Sequence, residues 1–163
     1  MNTGPEKLEI FFIEHLDKIY CAKSHLVERL PQLIPHVHFP DLKEAMVQTL
    51  ENVRTEISRM DLIYTLMEAD YSNCSNKGLI GFVDDAFAAI DRQATDERLR
   101  DLSLLFYLQN IESVEMASFQ MLQMTAVKLK NRQIGNLLKE NYEQAKANRT
   151  FLLLVATKYI TSV

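Results

Sequence analysis

Apolar positions recur along this chain at alternating steps of three and four residues in four long runs, a period that gathers them on one face of an α-helix. The first run is Phe12, Leu16, Ile19, Lys23, Leu26 and Leu30. The second is Leu42, Met46, Thr49, Val53, Glu56, Met60, Ile63 and Met67. The third is Leu105, Leu108, Glu112, Glu115, Phe119, Leu122, Ala126 and Leu129, and the fourth is Ile134, Leu138, Asn141, Ala145, Asn148, Leu152, Val155 and Tyr159. Each is a heptad seam of the kind that meets other helices. Each also breaks its own pattern near the middle, with Lys23, Glu56, the pair Glu112 and Glu115, and the Asn141 and Asn148 pair.

The breakers between the runs set the helix ends. Thr3-Gly-Pro-Glu6 reads as a capping box with Pro5 in the first turn. Pro31 and Pro35 are expected to bend or end the first long helix, leaving Pro35 to Pro40 as a connection. Pro40-Asp-Leu-Lys-Glu44 opens the second long helix, which should run to about Asp70. Tyr71 to Asn76 has the small polar residues of a loop, and Gly78 to Asp91 suits a short amphipathic helix, so Tyr71 to Asp96 is a long crossover. Thr95 or Asp96 can cap the third long helix, which should last to about Lys130; a tight turn follows, and Asn131-Arg-Gln opens the fourth.

Helices joined by a short connection pack antiparallel, so depth is counted from the turn at about 1.5 Å per residue. Glu115 and Asn148 both fall about 24 Å from the turn at Asn131. Lys23 and Glu56 lie within about one turn of each other, counted from the Pro35 to Pro40 connection. The pattern therefore predicts an all-α, ferritin-like four-helix bundle with a single polar layer between apolar layers, and a crossover from the second to the third long helix that carries a short extra helix. Bundles of this connectivity build metal sites in the core from glutamates and Glu-x-x-His motifs.

Composition narrows the class without changing the architecture. The chain has 163 residues, 47% of them hydrophobic, enough for one core, so residues 1–163 are read as one domain. Four Gly, four Pro and no Trp leave long unbroken stretches rich in helix formers. The net charge is −4 with both signs interspersed, which disfavours nucleic acid as a partner. There is no stretch of about eighteen apolar residues and no signal-like N-terminus, so no membrane partner and a cytoplasmic, soluble protein are expected. Cys21 and Cys74 share no metal-ligand spacing and read as free, inert thiols.

An unpaired carboxylate in a helix seam is expensive, so Glu112 and Glu115 must meet a metal, a cation, protons or water. Around them the chain resembles the YciE/YciF family of ferritin-like proteins, small bacterial stress-associated bundles of undefined biochemical role. The resemblance covers nearly the whole chain. It rests on Phe12-Ile-Glu-His-Leu-Asp-Lys-Ile-Tyr20 through Leu30-Pro31, on Pro40-Asp-Leu-Lys-Glu-Ala45, and most specifically on Ile111-Glu-Ser-Val-Glu-Met-Ala-Ser-Phe119. The family pattern departs at the metal positions. Its Ala-Glu is Ala22-Lys23 here, its helix 2 Glu-Thr-x-x-His or Gln is replaced by Asn52-Val-Arg-Thr-Glu56, and Ser113 stands where a His follows the first Glu of the third long helix. The seams then supply three carboxylates, one ammonium and no His, where di-iron sites take around four carboxylates and two His.

The first expectation is a bundle without a complete di-iron site and without a bound cofactor, acting as a structural or interaction protein rather than an enzyme. Lys23, Glu56, Glu112, Glu115, Asn141 and Asn148 would form an ion-pair and hydrogen-bond layer. Counted as ionised, its one ammonium and three carboxylates leave −2, so at least one Glu is expected to have a raised pKa or to meet ordered water. The alternative is a reduced iron or manganese site on Glu56, Glu112 and Glu115, because carboxylates suit hard cations. The resemblance also implies a homodimer, with an aromatic patch on the side of the first and crossover helices; no protein partner is specified. His36 and His38 read as loop residues, His15 and His25 are not spaced to bring two rings together, and Met116, Met121 and Met124 read as packing residues.

Overall fold

In a computed structural model, described for residues 4–72 and 76–162, the chain forms five α-helices and one 3-10 turn. They are α1 (Pro5–Leu33), the turn Ile34–His36, α2 (Pro40–Met67), α3 (Lys77–Arg92), α4 (Glu97–Lys128) and α5 (Arg132–Thr161). The four predicted long helices are α1, α2, α4 and α5, and the crossover helix is α3. Packing runs α1 to α2 to α5 to α4 and back to α1, which closes a four-helix ring. α3 lies outside that ring across part of the edge between α4 and α1.

The helix ends follow local chemistry. Gly4 is the N-cap of α1 and no side chain caps it; Thr3 and Cys74 lie outside the described residues. Pro5 and Pro40 occupy first-turn positions, where a missing N–H costs nothing. Asn76, Asp96 and Asn131 cap α3, α4 and α5, each accepting from the backbone N–H three residues on. Pro31 does not end α1: the helix continues two residues further to the buried Leu33. Its ring lies on the exposed side of the last turn, and only one intrahelical bond is forfeited there. Pro35 instead sits in the 3-10 turn. After α4 the chain reverses through Lys130, whose φ of 58° is the left-handed conformation usually given to glycine.

Nearly every seam residue is buried; Met67, Leu129 and Tyr159 at the helix ends are half-buried. The core divides in two. One part gathers Leu26, Leu30, Met46, Val53, Leu104, Leu108 and Leu152 with Leu79, Val83 and Ala86 of α3. The other gathers Phe12, Leu16, Met60, Ile63, Phe119, Leu122, Ile134 and Leu138. Between them lie the polar centres of all four seams. Among the described residues no helix is long and apolar enough to cross a membrane.

Candidate functional site

The polar layer is assembled from one or two residues of each long helix. Lys23, Glu56, Glu112, Glu115, Asn141 and Asn148 are all buried, and Lys23 and Glu56 have no exposed surface. Because each helix places an apolar residue three or four positions before and after these groups, burying the seam carries the polar groups inward with it.

Lys23 is the centre. Its Nζ donates to Oε2 of Glu56 and, at 2.7 Å, to Oε2 of Glu115. The Phe119 ring lies 5.3 Å from the same ammonium, an added cation–π contact from the core half that also holds Phe12 and Leu16. Glu112 is held from the opposite side: Asn148 Nδ2 donates to its Oε1 at 3.3 Å, and Asn148 Oδ1 accepts from Asn52 Nδ2. Asn141 Nδ2 donates to the backbone carbonyl of Glu56 at 3.2 Å, and its Oδ1 accepts from Arg59 Nη1 at 3.1 Å. Arg59 then reaches Gln144 Oε1 at 2.6 Å and Glu140 Oε2 at 3.0 Å, joining the layer to the surface between α2 and α5.

Three carboxylates facing one buried ammonium cannot all stay ionised cheaply. Burial pushes the Glu56 carboxyl up to about 7, although Lys23 pulls it down. Burial and the neighbouring Glu115 carboxylate hold Glu112 well above the ordinary range. Within the layer, the buried carboxylate oxygens left without a hydrogen-bond partner among the described residues, Glu56 Oε1 and Glu112 Oε2, belong to the same two groups. For Lys23 burial opposes the charge, but the surrounding carboxylates outweigh it, Glu115 first, and keep the amine protonated. Near neutral pH the layer is therefore closer to neutral than the formal −2. Among the described residues, no three His, Cys, Asp or Glu side chains converge as a group that could hold a metal ion.

This geometry can be set beside known proteins. A family model, Domain of unknown function (DUF892), matches residues 7–162. The chain is 30% identical over 145 residues to protein YciF of Escherichia coli strain K12, covering 86% of this chain and 84% of that protein. It belongs to the YciE/YciF family. The crystal structure of the E. coli stress protein YciF matches with a TM-score of 0.90 at 26% identity over 100% of both chains. YcfI of Rhodopseudomonas palustris matches with a TM-score of 0.83 at 23% identity, over 92% of this chain and 93% of that one, which speaks for the fold alone. The YciE/YciF architecture is thus an all-α ferritin-like bundle here too.

In this member of the YciE/YciF family, the sequence pattern finds the six layer residues but misses Asn52 and Arg59. Both sit one residue off a seam position, on the side of α2 that meets α5, where they bond Asn148, Asn141 and Gln144. It also misses two carboxylates that fasten helices together. Asp101 accepts from the backbone N–H groups of His38 at 2.7 Å and Phe39 at 2.6 Å. Asp17 accepts from Tyr64 Oη at 2.6 Å and from Ser72 Oγ. One more backward step of four along the third seam, from Leu105, lands on Asp101, and that was the available signal.

The remaining histidines stay apart. His36 is exposed, His38 pairs with Glu97 at 3.0 Å, His15 bonds the Phe11 carbonyl, and His25 lies 3.8 Å from Asp84. The reading of Met121 and Met124 as core packing is overturned: both are more than half exposed, because they lie on the outer face of α4, opposite the seam.

Proposed function

We propose that this chain is a structural or interaction protein of the YciF type, acting in a stress response, whose bundle centre is closed by an internal cation in place of a dinuclear metal. The observation that carries this reading is the Lys23 ammonium shared between Glu56 and Glu115. A fixed positive charge at that point repels a divalent cation, and an ammonium has no lone pair to offer one. Asn148, spent on Glu112 and Asn52, offers no carboxylate from α5. These residues do not fit a di-iron centre, and no redox step is assigned to them. The stress role rests on the kinship with E. coli YciF, described as a stress protein. The chain is further read as a cytoplasmic homodimer.

Elemental analysis decides the central point. Protein purified without chelators and exposed to ferrous ion, or to manganese, under oxygen should carry far less than one metal per chain. A stoichiometric load of either metal, lost on replacing Glu115 by Gln, would overturn the reading in favour of a reduced site on Glu56, Glu112 and Glu115.

A further inference from the structure

Three of the six tyrosines lie in one cluster where α1 meets the end of α2. The end of α2 makes the cluster possible. Glu68, at a φ of 52°, turns the chain out of the helix, and the Ala69 N–H bonds back to the Tyr64 carbonyl at 3.1 Å. The chain leaving this cap brings Tyr71 back against Tyr20 and Tyr64. The Tyr20 and Tyr71 rings are tilted by 37° with centroids 4.6 Å apart, and Tyr64 meets Tyr20 at 5.6 Å and Tyr71 at 6.4 Å, both edge-on. Tyr107 and Tyr159 pair with Phe106 and Phe39 instead.

Ring packing explains the stack but not where two of its phenols point. The buried Tyr64 donates to Asp17 at 2.6 Å, and the half-buried Tyr20 donates to Asp61 at 2.9 Å. Burial, then the bond to Asp61 and its charge, holds the Tyr20 phenol above its ordinary value, so it keeps its proton at neutral pH. A phenol that loses an electron becomes a strong acid and must shed that proton. A carboxylate already accepting it makes the electron easier to remove. A recess of about 400 Å³, lined by Asp61, Tyr64, Thr65, Glu68, Asp70 and Tyr71, opens the cluster to small molecules. Its carboxylates favour a neutral or cationic visitor over an anion.

We propose that Tyr20 and Tyr71 form a one-electron oxidation site, at which a diffusible neutral or cationic oxidant, acting twice, leaves the two side chains joined by a carbon–carbon bond. The first equivalent takes an electron from the Tyr20 ring while its phenolic proton passes to Asp61. The second takes an electron from Tyr71, whose proton goes to solvent. The two phenoxyl radicals couple through carbons ortho to their oxygens, and the hydrogens on those carbons move to the oxygens, restoring both phenols. Two electrons and two protons have then left the protein, and two molecules of oxidant have each gained one electron. Tyr64, its phenol held by Asp17, backs both rings. The site draws on nothing in the polar layer, so it stands whether or not that layer takes a metal.

Oxidation of the full chain by photogenerated ruthenium(III) tris-bipyridine, a cationic one-electron oxidant supplied in excess over Cys21 and Cys74, tests it. The wild type should gain dityrosine fluorescence and lose the mass of two hydrogens while still running as a single chain on a denaturing gel. Digestion should then yield a peptide pair joined through Tyr20 and Tyr71. Tyr20→Phe and Tyr71→Phe keep the rings and should each abolish the signal within the chain, whereas Tyr107→Phe should leave it unchanged. Asp61→Asn should lower the initial rate several-fold at neutral pH, and the deficit should vanish in alkaline solution, where Tyr20 has no proton left to give. A merely structural Asp61 would give the same deficit at both. No dityrosine in the wild type, a signal retained by Tyr20→Phe, or a cross-link mapped to other tyrosines overturns the site. Equal rates for Asp61→Asn and wild type at neutral pH overturn the part given to Asp61.

Discussion

Lys23 is held by two glutamates and a phenyl ring in a space with no water-facing side, and that determines how the bundle responds to pH. The folded Glu56 carboxyl sits at about 7 against an ordinary value of 4.5. Between those values the folded chain binds more protons than the unfolded one, so this group's stability is present at low pH and is lost as pH rises toward and through 7. Glu112, also raised by burial and Glu115, extends the loss in the same direction. Lys23 acts in the same direction, because its pKa is raised as well, but only in strongly alkaline solution. From pH 5 to pH 8 the Glu56 contribution to the unfolding free energy should fall by roughly 2 to 3 kcal/mol, read by urea titration at each pH. Glu112→Gln removes its part, so that variant should gain on the wild type as the pH is raised. Equal pH slopes for the two proteins would contradict the assignment.

At the scale of elements, the joint between α1 and α2 is closed by a residue of α4. Asp101 takes the N–H groups of His38 and Phe39, two backbone donors that the loop cannot pair locally. Burial raises its carboxyl, while those two bonds work to keep it charged. Replacing it with Ala leaves both donors without the carboxylate, and Asp101→Ala should cost about 2 to 4 kcal/mol in denaturant unfolding. Hydrogen exchange at residues 38 and 39 should rise well before exchange in the helices. The helix limits were legible because caps and prolines act within a few residues of themselves. The Asp101 bridge was not, because it spans more than sixty positions and leaves only a carboxylate one step beyond a seam. That α1 runs two residues past Pro31 has a related reason: Leu33 is buried in the core half that gathers Leu30 and Met46, and that tertiary contact outweighs the single lost bond.

For the whole molecule, the layer joins two apolar cores that would otherwise meet through a seam of unpaired charge. Lys23→Met removes the one cation and strands Glu56 and Glu115, which should cost about 3 to 5 kcal/mol, and less at pH 5 than at pH 8 because the carboxyls take up protons. The loss should appear in a single unfolding transition seen alike by far-ultraviolet and tyrosine signals; two separate transitions would show that the cores fold independently. The sequence by itself determined the number of long helices, their antiparallel pairing, the crossover helix and the level of the polar layer, since heptad period, breakers and loop lengths are local and add up along a rigid rod. Only the tertiary structure decided that Lys23 divides itself between Glu56 and Glu115 while Glu112 is left to Asn148. Only it showed that Tyr20 and Tyr71 come to rest ring against ring. Charge sharing and ring contacts depend on the distances and angles between elements, and no single element carries that information in its own pattern.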